Sequence, residues 1–391
     1  MKKILVFTST FPSFKQGDAT PPFVYELSQR LAQQWLDIIV LTPRVPWSKK
    51  YEFKDNMKIY RYPYFFKSSR EKLNDGAILP NIKKNKRLIF QIPFLLLAWL
   101  YSLIKIVKKE RIETIHSHWL IPQWLLACIY KIIWNKKIKI LCTAHGSDIH
   151  SIWWKFINWI KKFILINSDH ITVVSNYLKD EIRKLGITKS IDVISMWVDT
   201  DKFNPKFYDE NIKKENNITG KFLLYVGRLS SEKWVNFLLS AMPEVIKKHP
   251  DIKLILIGSW PLEDQLKKQA KDLNIEKNLI WKWRINHDEL APYFATADIF
   301  ILPSLKEGMP VILIEALSCW INCIVSDIKQ NLDVIWKEWK IFKNGDFYSL
   351  ENQLLYCIKN IKNENKLIKQ NIIDKFSRDS ISKKYLNILL N

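Results

Sequence analysis

Glycine is scarce in this chain. It supplies 9 of 391 residues, about a third of its usual share of roughly 7%. Few positions are thus left for left-handed turns or for backbone that must approach a ligand closely. No Gly-x-Gly-x-x-Gly run occurs, which weakens any dinucleotide reading. Cysteine is also sparse: five residues (128, 142, 319, 323, 357), an odd number without a Cys-x-x-Cys pair. A disulfide framework or zinc site is disfavoured, and the thiols read as reduced core residues. Long hydrophobic runs are nearly absent. The most apolar, LIFQIPFLLLAWLYSLIKIVKK (88–109), is broken by Gln91 and Pro93, so it reads as a buried helix ending in a basic turn rather than a span. Its basic end could rest on an anionic leaflet. The opening MKKILVFTST loses its apolar run at Thr8 and reads as a first strand, not a signal peptide.

What is abundant is positive charge. The net charge is +22, and residues 1–200 hold 32 Lys and Arg against 15 Asp and Glu, whereas residues 201–391 hold 29 against 24. A basic first half suits an anionic partner such as a membrane surface, a phosphorylated lipid or nucleic acid. The other account is compositional, because Lys, Ile and Asn are all frequent, as an AT-rich coding sequence would make them.

Strand and helix patterns alternate along the whole chain. KILVFT (3–8), LDIIVLTP (36–43), TIHSH (114–118), IKILCTAHG (138–146) and HITVVS (170–175) form one series. KFLLYVG (221–227), IKLILIG (252–258), NLIWK (278–282), DIFILPS (298–304) and NCIVSD (322–327) form a second. Short apolar strands separated by helices imply parallel sheets with right-handed crossovers, here twice over. The expected architecture is α/β: a first doubly wound domain over 1–200, a polar linker over 201–219 and a second domain over 220–375. A C-terminal helix (376–391) is expected to pack back on the first domain. Two such domains facing a central cleft would bind ligands at the carboxyl ends of their strands.

Tryptophan is as abundant as glycine is rare, with 17 residues. Many stand where backbone geometry favours glycine. Trp35 and Trp320 lie between a helix end and a strand, the position after a helix where left-handed glycine is preferred. Trp260 follows a strand at a turn, and Trp234 sits in GRLSSEKW, a strand-to-helix turn. Trp47, Trp124, Trp197, Trp283, Trp336 and the Trp153–Trp154 pair look similar, whereas Trp119 in HSHWLIP reads as a native tryptophan. Bulky residues at φ > 0 are costly. The economical account is one of decoding, with UGA codons meant as glycine rendered as tryptophan. The alternative is that the aromatic residues are native.

Two segments carry chemistry. Arg228 and Lys233 flank the turn after the strand at 222–226, where a helix N-terminus and two cations could neutralise a diphosphate. LPSLKEGMPVILIEAL (302–317) leaves a strand, turns through Glu307-Gly308-Met309-Pro310 and enters a helix containing Glu315. Carboxylates accept vicinal hydroxyls, so sugar and ribose rings are natural ligands.

With FPSFKQGDATPPFVYELSQRL, AHGSDI (144–149), VDTDKFNP (198–205), GRLSSEKW and the paired glutamates, nearly the whole chain resembles the retaining glycosyltransferases of family 4, with the GT-B fold. The departures from that pattern are tryptophans in glycine places, Trp234 above all. The resemblance implies a retaining hexosyltransferase moving a sugar from a nucleotide-diphosphate donor to an acceptor hydroxyl. Arg228 and Lys233 would hold the diphosphate as leaving group. Glu315 would bind the ribose hydroxyls, Glu307 would orient the donor sugar, and amides over Gly308, Met309, Pro310 and Val311 would meet a phosphate or the sugar. Arg284 and Ile285 would face the base, Gly17 would approach the phosphates, and His145 would reach the sugar near the reacting centre. The leaving phosphate would help deprotonate the acceptor. No cofactor beyond the donor and no metal is expected. The expected partners are the nucleotide-sugar donor, a glycan or lipid-linked acceptor and an anionic membrane surface, but not nucleic acid. The expected setting is cytoplasmic, peripheral on the inner face of the membrane, in cell-surface polysaccharide or glycolipid synthesis.

Plainer readings stand beside these. His145 ends an apolar strand and could be purely structural. His116 and His118 are read as structural residues on opposite strand faces, and Asp199 and Asp201 as linker carboxylates. A nucleotide-sugar epimerase of the same fold would need acid/base residues in the first domain that the sequence does not reveal. A non-catalytic basic protein at the membrane surface is the reading favoured if the tryptophans are native and block the phosphate turns.

Overall fold

Apolar runs of four to seven residues become strands in both halves. In this computed structural model the described residues are 1–15, 20, 22–46, 48–73, 78, 81–82, 85–146, 155–259, 261–283, 285–335, 339–361 and 366–391. The chain divides into two compact units. Unit 1 comprises Met1–Val174, Leu178–Ile194 and Ser382–Asn391, and unit 2 comprises Ser175–Tyr177 and Ser195–Ile381.

Unit 1 is built on β1 (Lys3–Phe7), β2 (Asp37–Pro43), β3 (Tyr51–Lys54), β4 (Met57–Tyr62), β5 (Thr114–His118), β6 (Lys139–Ala144), β7 (His170–Val173) and β8 (Asp192–Val193). Their order is β3-β4-β2-β1-β5-β6-β7-β8, and every pairing is parallel except the β3–β4 hairpin. That hairpin turns through Asp55 and Asn56, both at positive φ, the two-residue turn whose twist suits a hairpin. Helix α1 (Phe23–Gln33) follows β1. Helix α2 (Ile92–Glu110) buries Leu95, Trp99, Leu103, Ile106 and Val107, with Trp99 edge-on to Phe7 of β1 at 5.8 Å. The expectation of a buried helix is only half met: α2 buries one face and exposes Phe94, Leu97 and Tyr101 on the other.

Unit 2 carries β9 (Phe222–Val226), β10 (Lys253–Ile257), β11 (Leu279–Lys282), β12 (Ile299–Leu302), β13 (Asn322–Ser326) and β14 (Lys340–Phe342). All are parallel, in the order β11-β10-β9-β12-β13-β14. This is the doubly wound order in which the chain reverses direction between the first and fourth strands. Helix α3 (Val235–Lys248) follows β9 and helix α4 (Val311–Ser318) follows β12.

The stretch 201–219, expected as a linker, is part of unit 2. Phe203 and Ile212 are buried in its core, and Asp209 caps a short helix (Glu210–Glu215). Its apolar residues, few and widely spaced, are the ones that dock. Helix α5 (Arg378–Leu390) closes the chain. Its Ser382–Asn391 portion belongs to unit 1, where the Tyr385 phenol packs 5.3 Å from the His116 ring. The five cysteines are all buried free thiols, and burial pushes Cys128 up to about 12 and Cys357 up to about 11.

Candidate active site

The doubly wound order puts the reversal point of unit 2 between the carboxyl ends of β9 and β12, where such sheets bind ligands. The loop leaving β9 carries Arg228 and Lys233. The loop leaving β12 carries Glu307. The structure joins them, with Lys233 Nζ 2.5 Å from Glu307 Oε1, both side chains largely withdrawn from solvent. The backbone adds a second tie, from Leu305 N–H to the Glu232 carbonyl at 2.9 Å. Arg228 is exposed and paired with Glu232 at 2.9 Å.

Two glycines permit the close approach of the β9 and β10 loops. A Cβ on Gly227 would come within 2.8 Å of the Tyr225 phenol oxygen, and one on Gly258 within 1.9 Å of the Gly227 carbonyl. The Tyr225 hydroxyl donates to the Arg228 carbonyl at 2.9 Å, holding the turn from beneath. Leu229 N–H reaches the Ser259 carbonyl at 3.2 Å, tying the β9 and β10 loops together.

Trp234 ends this turn in the left-handed region, at φ 54° and ψ 36°, with its indole stacked on Phe237 at 3.9 Å. Ten non-glycine residues among those described have positive φ. Four are Asp or Asn, which tolerate it, and four are tryptophan: Trp35, Trp119, Trp234 and Trp320. Three of these were expected from their place in the sequence. Trp119, expected to be an ordinary tryptophan, also lies at φ 64°. Trp124 departs in the other direction: it is helical, fully buried, and donates its indole N–H to Ser168 Oγ at 2.7 Å. Trp197 and Trp283 have no positive φ. Trp47, Trp153, Trp154, Trp260 and Trp336 lie outside the described residues, as do Gly17 and Arg284.

Beyond Glu307, Gly308 and Met309 lead into α4. Pro310 has no N–H, and Val311 donates its own to the Met309 carbonyl at 2.9 Å. Amide donation from this turn to a ligand therefore falls to Gly308 and Met309. Glu315 lies within α4 and is nearly buried, accepting from His287 Nε2 at 2.7 Å. His287 is a neighbour that no motif announces. It stands in the loop after β11 with Lys202 Nζ 3.2 Å from its other ring nitrogen. Ile285, in the same loop, packs partly against the unit 2 core. Glu307 and Glu315 thus take different partners, an ammonium and an imidazole.

In unit 1 the corresponding reversal lies between β1 and β5. Three imidazoles gather at its edge. His118 Nδ1 is 3.0 Å from His145 Nε2, and the rings of His116 and His118 are 4.3 Å apart. The two β5 histidines therefore share one face, contrary to expectation, because side chains alternate and residues two apart point the same way. His116 Nε2 meets Thr143 Oγ1 at 2.9 Å, and Thr143 meets Thr172 at 2.7 Å. Burial drives His145 and His116 down to about 3 and holds His118 well below its ordinary value. All three rings are neutral near pH 7, so His145 can hydrogen-bond a hydroxyl but does not serve as a cationic acid. Asp199 caps a turn through Lys202 N–H and pairs with Arg378 at 2.9 Å. Among the described residues no group of three or more His, Cys, Asp or Glu is arranged to hold a metal ion.

Residues 22–202 match Glycosyltransferase Family 4, and residues 208–373 match the family described as Glycosyl transferases group 1. The chain is a GT-B glycosyltransferase. N-acetyl-alpha-D-glucosaminyl L-malate synthase of Bacillus anthracis is 24% identical over 93% of this chain and 91% of its own length. UDP-Gal:alpha-D-GlcNAc-diphosphoundecaprenol alpha-1,3-galactosyltransferase of Escherichia coli is 27% identical over 75% of this chain and 80% of its own. Among solved structures, sucrose-phosphate synthase from Thermosynechococcus elongatus superposes with a TM-score of 0.76 at 17% identity, covering 99% of this chain and 98% of that one. Anabaena Alr3699/HepE, solved with UDP, gives 0.74 at 12% identity with both chains fully covered. These likenesses in structure establish the shared fold of this glycosyltransferase.

Proposed function

We propose that the chain transfers a hexose from a nucleotide-diphosphate sugar to an acceptor hydroxyl with retention at the anomeric carbon. The observation that carries this reading is the Lys233–Glu307 pair, set where the β9 and β12 loops meet at the reversal point of the unit 2 sheet. Without donor, the lysine and the glutamate neutralise one another. With donor, the Lys233 ammonium turns with Arg228 to the diphosphate and stabilises the charge that develops as it leaves. The released Glu307 carboxylate accepts from hydroxyls of the sugar. Glu315 accepts from the ribose, exchanging its His287 partner for vicinal hydroxyls. Gly308 and Met309 offer amides and Ile285 flanks the base. The leaving phosphate takes the acceptor proton. The two cations supply the positive charge that a metal would otherwise provide, so the reaction is proposed to be metal-independent.

Relatives named for acting on a UDP-sugar and a diphosphoundecaprenol-linked acceptor, and for teichuronic acid biosynthesis, support a role in surface polysaccharide or glycolipid synthesis. The left-handed backbone at Trp35, Trp234 and Trp320 supports glycine as the residue intended there. Reading the codons tests this directly: UGA at 35, 234 and 320 would support it, and UGG at all three would defeat it.

The functional test is turnover with a panel of UDP-, GDP- and ADP-sugars in the presence of chelator, with the product anomer read by NMR. Transfer with retention supports the reading. Inversion, a chelator-sensitive rate, or undiminished turnover in Lys233→Ala and Glu307→Ala would each overturn part of it.

A further inference from the structure

The exposed side of α2 is not an ordinary solvated helix face. Phe94, Leu97, Tyr101, Lys105 and Lys108 are all exposed, at spacings of three, four, four and three residues, so they fall on one stripe of the helix. The first three are apolar or amphipathic and the last two are cations. The apolar end is broadened by its neighbours. Ile89 and Phe90 are exposed in the turn before α2, and Phe66 is 83% exposed beside it. The Phe66 and Phe65 rings stand 6.0 and 5.6 Å from Phe94. Leu97 is 68% exposed. Lys67, Arg70, Lys86 and Arg87 surround this apolar end and are exposed. Between residues 57 and 109 the sequence has twelve Lys and Arg but only two acids, Glu71 and Asp75. Glu71 is fully buried, accepting from Arg44 at 2.5 Å.

We propose that this face of unit 1 docks on an anionic lipid bilayer, with Phe66, Phe90, Phe94 and Leu97 entering the leaflet and the lysines and arginines resting among the headgroups. The proposal goes beyond sugar transfer and does not depend on it. The charge pattern favours this occupant, because an apolar patch ringed by cations complements a surface that is apolar beneath an anionic layer. A tyrosine at the boundary, an apolar body with a polar tip, suits the interface between the two. The Lys86 and Arg87 stems are long enough to snorkel past the buried rings. Although Lys86–Glu110 is long and apolar enough to cross a membrane, Leu95, Trp99, Leu103, Ile106 and Val107 are committed to the unit 1 core. Spanning would dismantle the sheet packing, so the chain lies on the bilayer rather than through it.

The test is co-flotation of the full chain with phosphatidylcholine vesicles, with and without phosphatidylglycerol. Wild-type protein is expected to float at least tenfold more with the anionic vesicles, and added salt should reduce that fraction. Phe66→Ser with Leu97→Ser, and separately Lys105→Glu with Lys108→Glu, should each lower it severalfold. All four side chains are exposed, so thermal melting and donor hydrolysis should stay at wild-type values. Three results would overturn the proposal: no binding of wild type to anionic vesicles, equal binding by both double variants, or a change in oligomeric mass in the serine variant without vesicle binding by wild type. The last would assign the patch to a second copy of the chain. Loss of hydrolysis in wild type with flotation intact would count against sugar transfer alone.

Discussion

Trp35 offers a test of backbone strain that is free of packing effects. It follows α1 in the left-handed region at φ 69°, and its side chain is 83% exposed, so truncation removes little buried area. A left-handed L-residue costs about 1–2 kcal/mol. Glycine does not pay that cost, but it loses more freedom on folding, which offsets about 0.5–1 kcal/mol. Trp35→Gly should therefore stabilise unit 1 by about 0.5–1 kcal/mol, whereas Trp35→Ala keeps the strain and should change little. The sign of the Gly-minus-Ala difference is the critical quantity. At an ordinary exposed position glycine is the less stable of the two, and here the order should reverse. Urea unfolding of both variants beside wild type measures it. Alanine equal to or better than glycine would refute the strain argument, and with it the main physical reason for treating this tryptophan as a misplaced glycine. Trp124 is the contrast. Its indole is fully buried and hydrogen-bonded in a helix, so alanine should cost about 3–5 kcal/mol and glycine more.

Lys233→Met leaves the Glu307 carboxylate uncompensated and should destabilise unit 2 by about 3–5 kcal/mol. Pairing it with Glu307→Gln should recover most of that loss without restoring turnover, as unfolding and donor hydrolysis together would record. If Glu315 takes the ribose, Glu315→Ala should erase the preference for a nucleoside diphosphate over its 2′-deoxy form, a change of about tenfold or more in the ratio of inhibition constants. The histidine cluster makes unit 1 acid-sensitive. The unfolded rings titrate near 6.5 and the folded ones far lower, so stability is full above pH 6.5 and falls as pH drops towards 3. The slope is at most about 1.4 kcal/mol per pH unit for each ring. Replacing His116 and His145 with Asn should flatten the urea-midpoint profile between pH 6.5 and 5, and an unchanged slope would refute the assignment.

The strands that sequence reading recovers are those buried on both faces. TIHSH became β5 without a change of boundary, KFLLYVG and IKLILIG each lost one residue at either end, and DIFILPS lost Asp298, Pro303 and Ser304. Continuous apolar runs of that length have few other places to go in a parallel sheet. The β3–β4 hairpin escaped notice because YEFKDNMKIY alternates polar and apolar residues, as an edge pair does, and its Asp-Asn turn lacks the glycine usually sought there. Within the candidate site, Arg228, Lys233 and Glu307 were readable because each lies in the loop or turn that directly follows a strand, where chain order fixes position. His287 was not. Its pairing with Glu315 depends on the β11 loop and α4 being neighbours in space, and a sequence separation of 28 carries no sign of it. The tryptophans divide along the same line. A residue just after a helix and before a strand must reverse the chain, so Trp35 and Trp320 could be recognised as left-handed from local order alone. Trp119 could not, because it follows β5 directly with no helix end to mark a reversal, and Trp124 proved to be helical. Local grammar identifies a glycine position only where the backbone, and not its surroundings, determines the conformation.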